Sequence, residues 1–262
     1  MNDLSSYFDF AVQIAHQAGR ITLGYFNTGL PPDFKADDSP VTAADRAAEQ
    51  FIRGEIEKHY PAHAIVGEEF GENAGQGKPF RWIIDPIDGT KSFMRGVPLY
   101  AVLIGLEIEG VVRAGAAYFP ALDEMLCAAD GLGCWWNGRR ARVSQVDALE
   151  RACICYTTYH NFEGDLPLWK RLSDAAYMLR GWSDAYGYLA VATGRAEACL
   201  DPAMKVWDCG PFPVIFREAG GFFGSWAGEE GHLHGQALAV NAALKSQVLE
   251  LLRSALDSRS GT

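Results

Sequence analysis

Two aspartates, Asp85 and Asp88, stand between a short apolar run and a glycine in Trp82-Ile83-Ile84-Asp85-Pro86-Ile87-Asp88-Gly89-Thr90. Residues 80–84 read as a buried strand. Pro86 brings no N–H to a strand ladder, so the strand is expected to end there. Gly89 permits a tight turn, and the residues after it could open a helix. Carboxylates at the carboxyl end of a buried strand, beside the amides of a helix start, lie where open α/β sheets collect ligands. Their oxygens suit hard cations such as Mg²⁺, and the amides suit phosphate. The plainer reading is an Asp-Gly turn. An EF-hand calcium loop is excluded, because with Gly89 sixth it would place Ile84 first, Pro86 third and Arg95 twelfth.

Other acids take comparable places. Asp45 follows Thr42 by three residues, a capping-box spacing at the start of an amphipathic helix. Glu68 and Glu69 close a short strand beginning at Ala64. Asp208 opens a helix in Lys205-Val206-Trp207-Asp208. Each has an ordinary role as a cap or turn residue. Six acids at strand ends and helix starts can also converge. Without a cation they would repel and shift one another's protonation. With two Mg²⁺ ions about 3.5–4 Å apart they could clamp both the attacking and the leaving oxygen of a phosphoryl group.

The elements that must position them are legible from periodicity. Residues 4–26 carry one apolar helical face, capped by Asp3 or Ser5. A polar loop with Lys35, Asp37 and Asp38 spans 31–40. Residues 71–79 read as a mobile glycine-rich loop. Three β-rich runs, 99–107, 111–119 and 124–129, form an antiparallel meander. Asn137-Gly138 is a hairpin turn. The remainder alternates strands (151–156, 197–200, and after Gly221) with helices (166–176, 183–193, 207–217 interrupted by Pro211 and Pro213, and 242–256). This is α/β layering, with a joint near 147–151. It divides the chain into an α+β half, 1–146, with most acids, and an α/β half, 147–262, with Asp208, Asp184 and Asp201.

The 262 residues are 48% apolar, enough for a sizeable core, and 33 acids against 23 Lys plus Arg give a net charge of −10. That balance argues against nucleic acid as a partner. For a phosphate substrate it demands a neutralising cation. The six cysteines, Cys127, Cys134, Cys153, Cys155, Cys199 and Cys209, form no Cys-x-x-Cys pair and read as reduced and buried. No basic-then-apolar leader opens the sequence, and no run reaches membrane-spanning length. The expectation is a cytoplasmic protein. No P-loop pattern occurs.

Glu68-Glu69, Asp85-Pro86-Ile87-Asp88-Gly89-Thr90 and the distant Trp207-Asp208 together resemble the inositol monophosphatase family, and the likeness runs from the first helix to the last. The resemblance implies an α-β-α-β-α sandwich, usually a homodimer, and a lithium-sensitive Mg²⁺-dependent phosphatase of small phosphate monoesters with two or three ions per subunit. Glu68, Asp85 and the Ile87 carbonyl would hold one ion, and Asp85, Asp88 and Asp208 a second. Glu68 would also help a weaker third. Glu69 would orient bound water, Thr90 with Asp45 would activate the attacking water, and Gly89 and Thr90 would cradle the phosphate.

Lys91-Ser92-Phe93 followed by Arg95-Gly96-Val97-Pro98, and Gly181-Trp182-Ser183-Asp184, look more like the histidinol-phosphate phosphatase branch. Histidinol phosphate carries an ammonium and an imidazole, which Asp184 and Asp201 could face. The plainer alternatives are a helix cap for Asp184 and a surface turn for Asp201-Pro202. An inositol or broad sugar-phosphate phosphatase is the second expectation. A non-catalytic relative that binds phosphate esters is the third, and it would show a gap among the ligands or at the Thr90–Asp45 pair.

Overall fold

The structure is a computed structural model that describes residues 4–29, 31–34, 40–76, 79–162, 166–182 and 184–260. Asp3, Lys35, Asp37, Asp38 and Ser183 lie outside the described residues. The chain opens with α1 (Leu4–Leu23), a small ribbon of β1 (Asp33–Phe34) and β2 (Pro40–Val41), and α2 (Ala43–His59). Then come β3 (Ala64–Gly67), β4 (Gly71–Asn73), β5 (Phe80–Asp88), the single-turn α3 (Thr90–Met94), β6 (Ala101–Ile108), β7 (Val111–Phe119), β8 (Glu124–Ala129), β9 (Gly133–Trp136) and β10 (Arg139–Arg140). These strands form one sheet in the order β10-β9-β8-β7-β6-β5-β3-β4, with β3 and β5 parallel.

The second sheet is built from β11 (Cys153–Tyr156), β12 (Met178–Arg180), β13 (Ala198–Asp201), β14 (Gly221–Gly224) and β15 (Ala237–Asn241). Its order is β12-β11-β13-β15-β14, and β11 runs parallel to β12 and β13. Between its strands lie α4 (Leu166–Ala175), α5 (Asp184–Ala192), α6 (Val206–Cys209) and α7 (Phe212–Ala219), and α8 (Lys245–Ser260) closes the fold.

Packing stacks these elements in five layers. The apolar stripes of α1 and α2, including Ile14 and Ile52, bury Trp82 and Ile84 on one face of the large sheet. The opposite face, through Ile83, packs with Phe212 and Phe216 of α7 and Leu189 of α5, which also meet Cys199 and Ala239 of the small sheet. Leu168 and Leu172 of α4 and Val248 and Leu252 of α8 cover that sheet's outer face. The result is the expected α-β-α-β-α sandwich. Strand β5 is covered on both faces, which is why its run is apolar without alternation.

Two sequence expectations need correction, and two strands were not read at all. β5 does not stop at Pro86 but continues to Asp88. Between Asp85 and Asp88 it advances three residues while β6 advances two, Leu103 to Ala101. Pro86 lies inside this bulge, where no ladder bond is required of it. Residues 71–73 of the supposed mobile loop are the edge strand β4. Strands β12 and β15 were not legible. β15 is an interior strand of the small sheet, between β13 and β14, and its short buried run Ala237–Asn241 lacks a period that separates strand from helix. The six cysteines are free and buried, as expected.

One contact fixes how α6 lies. Gly105 of β6 and Gly115 of β7 are register partners. A Cβ on Gly105 would collide with the carbonyl of Gly210, and one on Gly115 would sit 2.7 Å from the Cα of Pro211. The α6–α7 junction therefore rests directly on sheet backbone, as only glycine permits.

Candidate active site

Both sheets offer the carboxyl ends of their parallel strands to one cavity of about 540 Å³. Glu68 follows β3, and Asp85 and Asp88 end β5. Across the gap Thr157 follows β11 and Asp201 ends β13. Residues three apart on a regular strand face opposite ways. The bulge at Pro86 turns Asp85 and Asp88 to the same side, where oxygens of Asp85, Asp88 and Asp208 lie within 4.8 Å of one another.

Local backbone holds each group. Ile87 N donates to Asp85 Oδ1 at 3.0 Å, Ala185 N at the start of α5 to Asp88 Oδ2 at 2.6 Å, and Lys205 N to Asp208 Oδ2 at 2.7 Å. Gly89, at φ 86°, ends the strand and opens α3, where Thr90 donates either to Ile87 O at 3.1 Å or to Asp45 Oδ1 at 3.3 Å. Asp45 is fully buried. Its other oxygen accepts from the Thr42 amide and hydroxyl, so the capping box is formed and Asp45 also meets Thr90.

Electrostatics mark the cluster. Burial, then repulsion from Glu68, Asp88 and Asp208, pushes the Asp85 carboxyl well above its ordinary value. Burial, with Asp184 and Asp208 nearby, does the same to Asp88. Asp208 is pushed up to about 7, chiefly by burial, against the pull of the Lys205 amide. Asp45 is raised by burial, which outweighs its bonds from Thr42. Among the described residues no Lys, Arg or His side chain bonds Asp85, Asp88 or Asp208. An all-oxygen donor set with unrelieved like charge fits a hard divalent cation.

The substrate-facing expectations land on the same cavity. Asp184, at φ 39° in the first turn of α5, lies 3.3 Å from the Ser92 hydroxyl. Asp201 is buried instead of forming a surface turn. Its oxygens accept from Thr157 N at 3.1 Å and from Tyr188 Oη at 2.7 Å, and burial raises its carboxyl to about 6. Both line the cavity, with Lys91 and His160 as its basic groups.

A profile of the inositol monophosphatase family matches residues 3–259. The chain belongs to the inositol monophosphatase family. A histidinol-phosphatase of Chlorobaculum parvum is 41% identical over 233 residues, covering 87% of this chain and 89% of its own length. An inositol-1-monophosphatase of Mesorhizobium japonicum is 31% identical, covering 97% of this chain and 99% of its own. The solved extragenic suppressor protein suhB of Bartonella henselae superimposes with a TM-score of 0.89 at 30% identity, covering 94% of this chain and 98% of that one. Relatives alike in fold thus carry different names, a histidinol-phosphatase and an inositol-1-monophosphatase among them, so the fold alone does not assign the substrate.

Three cavity-shaping residues were not singled out from sequence. Tyr188 and Thr157 hold Asp201, and nothing in their local pattern announces it. Glu49 holds the amides of Glu69 and Phe70 at 2.7 and 3.1 Å. Its signal was readable, as a second acid one turn after Asp45 on a helix face otherwise made of Ala48, Ile52 and Ile56.

Proposed function

We propose that this chain is a Mg²⁺-dependent phosphomonoesterase that hydrolyses histidinol phosphate to histidinol and phosphate. The observation that carries the reading is the distribution of acids along the cavity. Asp85, Asp88, Asp208 and Glu68, with the Ile87 carbonyl, would hold two or three divalent ions. Bound there, such ions neutralise the phosphoryl oxygens and make water a better nucleophile. That leaves Asp184 and Asp201 facing the alcohol part of the ester, where a cationic amine or imidazole is favoured over a neutral polyol.

The chain's own groups do the rest. Amides at Gly89 and Thr90 receive phosphate oxygens at the start of α3. Thr90, held by Asp45, orients the water and takes part in moving its proton, and Glu69 orients water beside Glu68. Water oxygen bonds to phosphorus, the phosphorus–oxygen bond to histidinol breaks, and the leaving alkoxide takes a proton. Lithium sensitivity and pairing into a homodimer follow from family membership as further parts of the reading. The test is kcat/KM with Mg²⁺ on histidinol phosphate, inositol 1-phosphate and fructose 1,6-bisphosphate. Preference for histidinol phosphate is expected, and preference for either other ester overturns the substrate.

A second reading, an inositol or broad sugar-phosphate phosphatase, is favoured by the relative of Mesorhizobium japonicum named for inositol 1-phosphate. A non-catalytic role finds no gap to rest on, since the acids converge and Thr90 meets Asp45.

A further inference from the structure

Helix α2 carries two fully buried carboxylates one turn apart, Asp45 and Glu49. Asp45 reaches the α3 side of the cavity through Thr90. Glu49 reaches the other side. Its Oε2 accepts from Glu69 N at 2.7 Å, and its Oε1 accepts from Phe70 N at 3.1 Å and from Arg53 Nε at 2.8 Å. Arg53 in turn donates to the Gly71 carbonyl. The turn that carries Glu68 between β3 and β4 is thus tied at both backbone amides after Glu68 to a single side chain. The site is also shaped to admit that side chain, since a Cβ on Gly67 would collide with the Glu49 carboxylate.

We propose that Glu49 is a positioning residue for the metal site: it sets the backbone of the Glu68 turn, and through it the place of the Glu68 carboxylate among Asp85, Asp88 and Asp208. The proposal rests on the reading of Glu68 as a metal ligand. A carboxylate is suited to the task because it accepts and never donates. Both turn amides and the Arg53 guanidinium point donors at it, and a glutamine there would turn an N–H against one of them. Partners that orient ligands in this way, without touching the ion, typically govern affinity for the metal by 10- to 100-fold.

The experiment compares wild type, Glu49→Gln and Glu68→Gln by Mn²⁺ binding, followed by electron paramagnetic resonance, and by the Mg²⁺ concentration for half-maximal phosphate release from a generic ester. Melting in EDTA reports folding separately. Glu49→Gln is expected to weaken Mn²⁺ binding and raise the Mg²⁺ requirement about 10-fold or more, with kcat at saturating Mg²⁺ kept within about threefold. Arg53→Ala, at the outer edge of the same network, is expected to move both in the same direction by a smaller factor, and it carries the test if Glu49→Gln does not fold. Normal metal affinity in a folded Glu49→Gln or Arg53→Ala overturns the positioning role. So does lost kcat with an unchanged Mg²⁺ requirement. Wild-type metal affinity in Glu68→Gln overturns the ligand reading itself, and the proposal falls with it.

Discussion

Thr90 Oγ1 lies 3.3 Å from Asp45 Oδ1, and the second oxygen of that carboxylate closes the first turn of α2 on Thr42. One buried side chain thus caps the start of a helix and holds a hydroxyl at the cavity wall. The two duties separate by mutation. Thr90→Ala is expected to lower kcat more than it raises KM, because orienting water matters most in the transition state. Asp45→Asn is expected to lower kcat and also cost about 1 kcal/mol of stability through the weakened cap. Steady-state kinetics beside melting curves check both. A raised KM with kcat intact would make Thr90 a phosphate binder only.

Asp88→Asn is expected to fold and to lose most Mg²⁺-dependent turnover. The amide oxygen of asparagine can still accept from Ala185 N, now bonded at 2.6 Å, so the start of α5 keeps its anchor. What disappears is one negative charge beside Asp85 and Asp208. Near-normal kcat at limiting Mg²⁺ would remove Asp88 from the site.

Asp208 makes a pH prediction. Its carboxyl is raised from 3.8 to about 7 in the folded chain without metal, chiefly by burial. The folded state then binds the proton more tightly than the unfolded one, so this group's contribution to stability falls as pH rises from about 4 to about 7. In EDTA, Asp208→Asn should melt above wild type at pH 8, and the gap should close toward pH 4. Added Mg²⁺ should reverse the order by stabilising wild type alone. Parallel melting curves across pH would refute the assignment.

Asp184→Asn tests the substrate. Asparagine tolerates the φ of 39° found there, so the change isolates charge. A charge-assisted bond to an ammonium contributes roughly 1.5–3 kcal/mol, and its loss should cut kcat/KM for histidinol phosphate about 10- to 100-fold. Inositol 1-phosphate has no ammonium to lose. The ratio of the two values is the measurement, and a ratio that does not move makes Asp184 structural.

The meeting of Asp85, Asp88 and Asp208, with Glu68 on the same cavity wall, was legible because each follows a strand or opens a helix, and these ends are written in apolar periodicity and in Gly89. The bulge was not legible. Pro86 signals that a ladder bond is missing, but not whether the strand stops or accommodates the gap. β15 was hidden for a related reason, as a five-residue buried run has no period to read. The partners of Asp201 are set by tertiary structure, Thr157 by the pairing of β11 with β13 and Tyr188 by the packing of α5, about which their neighbours in sequence say nothing.

The glycine pair beneath α6 has a consequence for mutational tolerance. Gly105 and Gly115 do not line the cavity, yet the segment resting on them carries Asp208. A saturation library scored only for phosphate release should therefore flag both positions as sharply as the acids themselves, with alanine already intolerable at Gly105. Scored instead for Mn²⁺ retained by folded protein, the same library should place them with Asp208 and apart from Thr90. Such a pattern would mark the floor of the large sheet, on β6 and β7 beside β5, as part of the cation-holding apparatus.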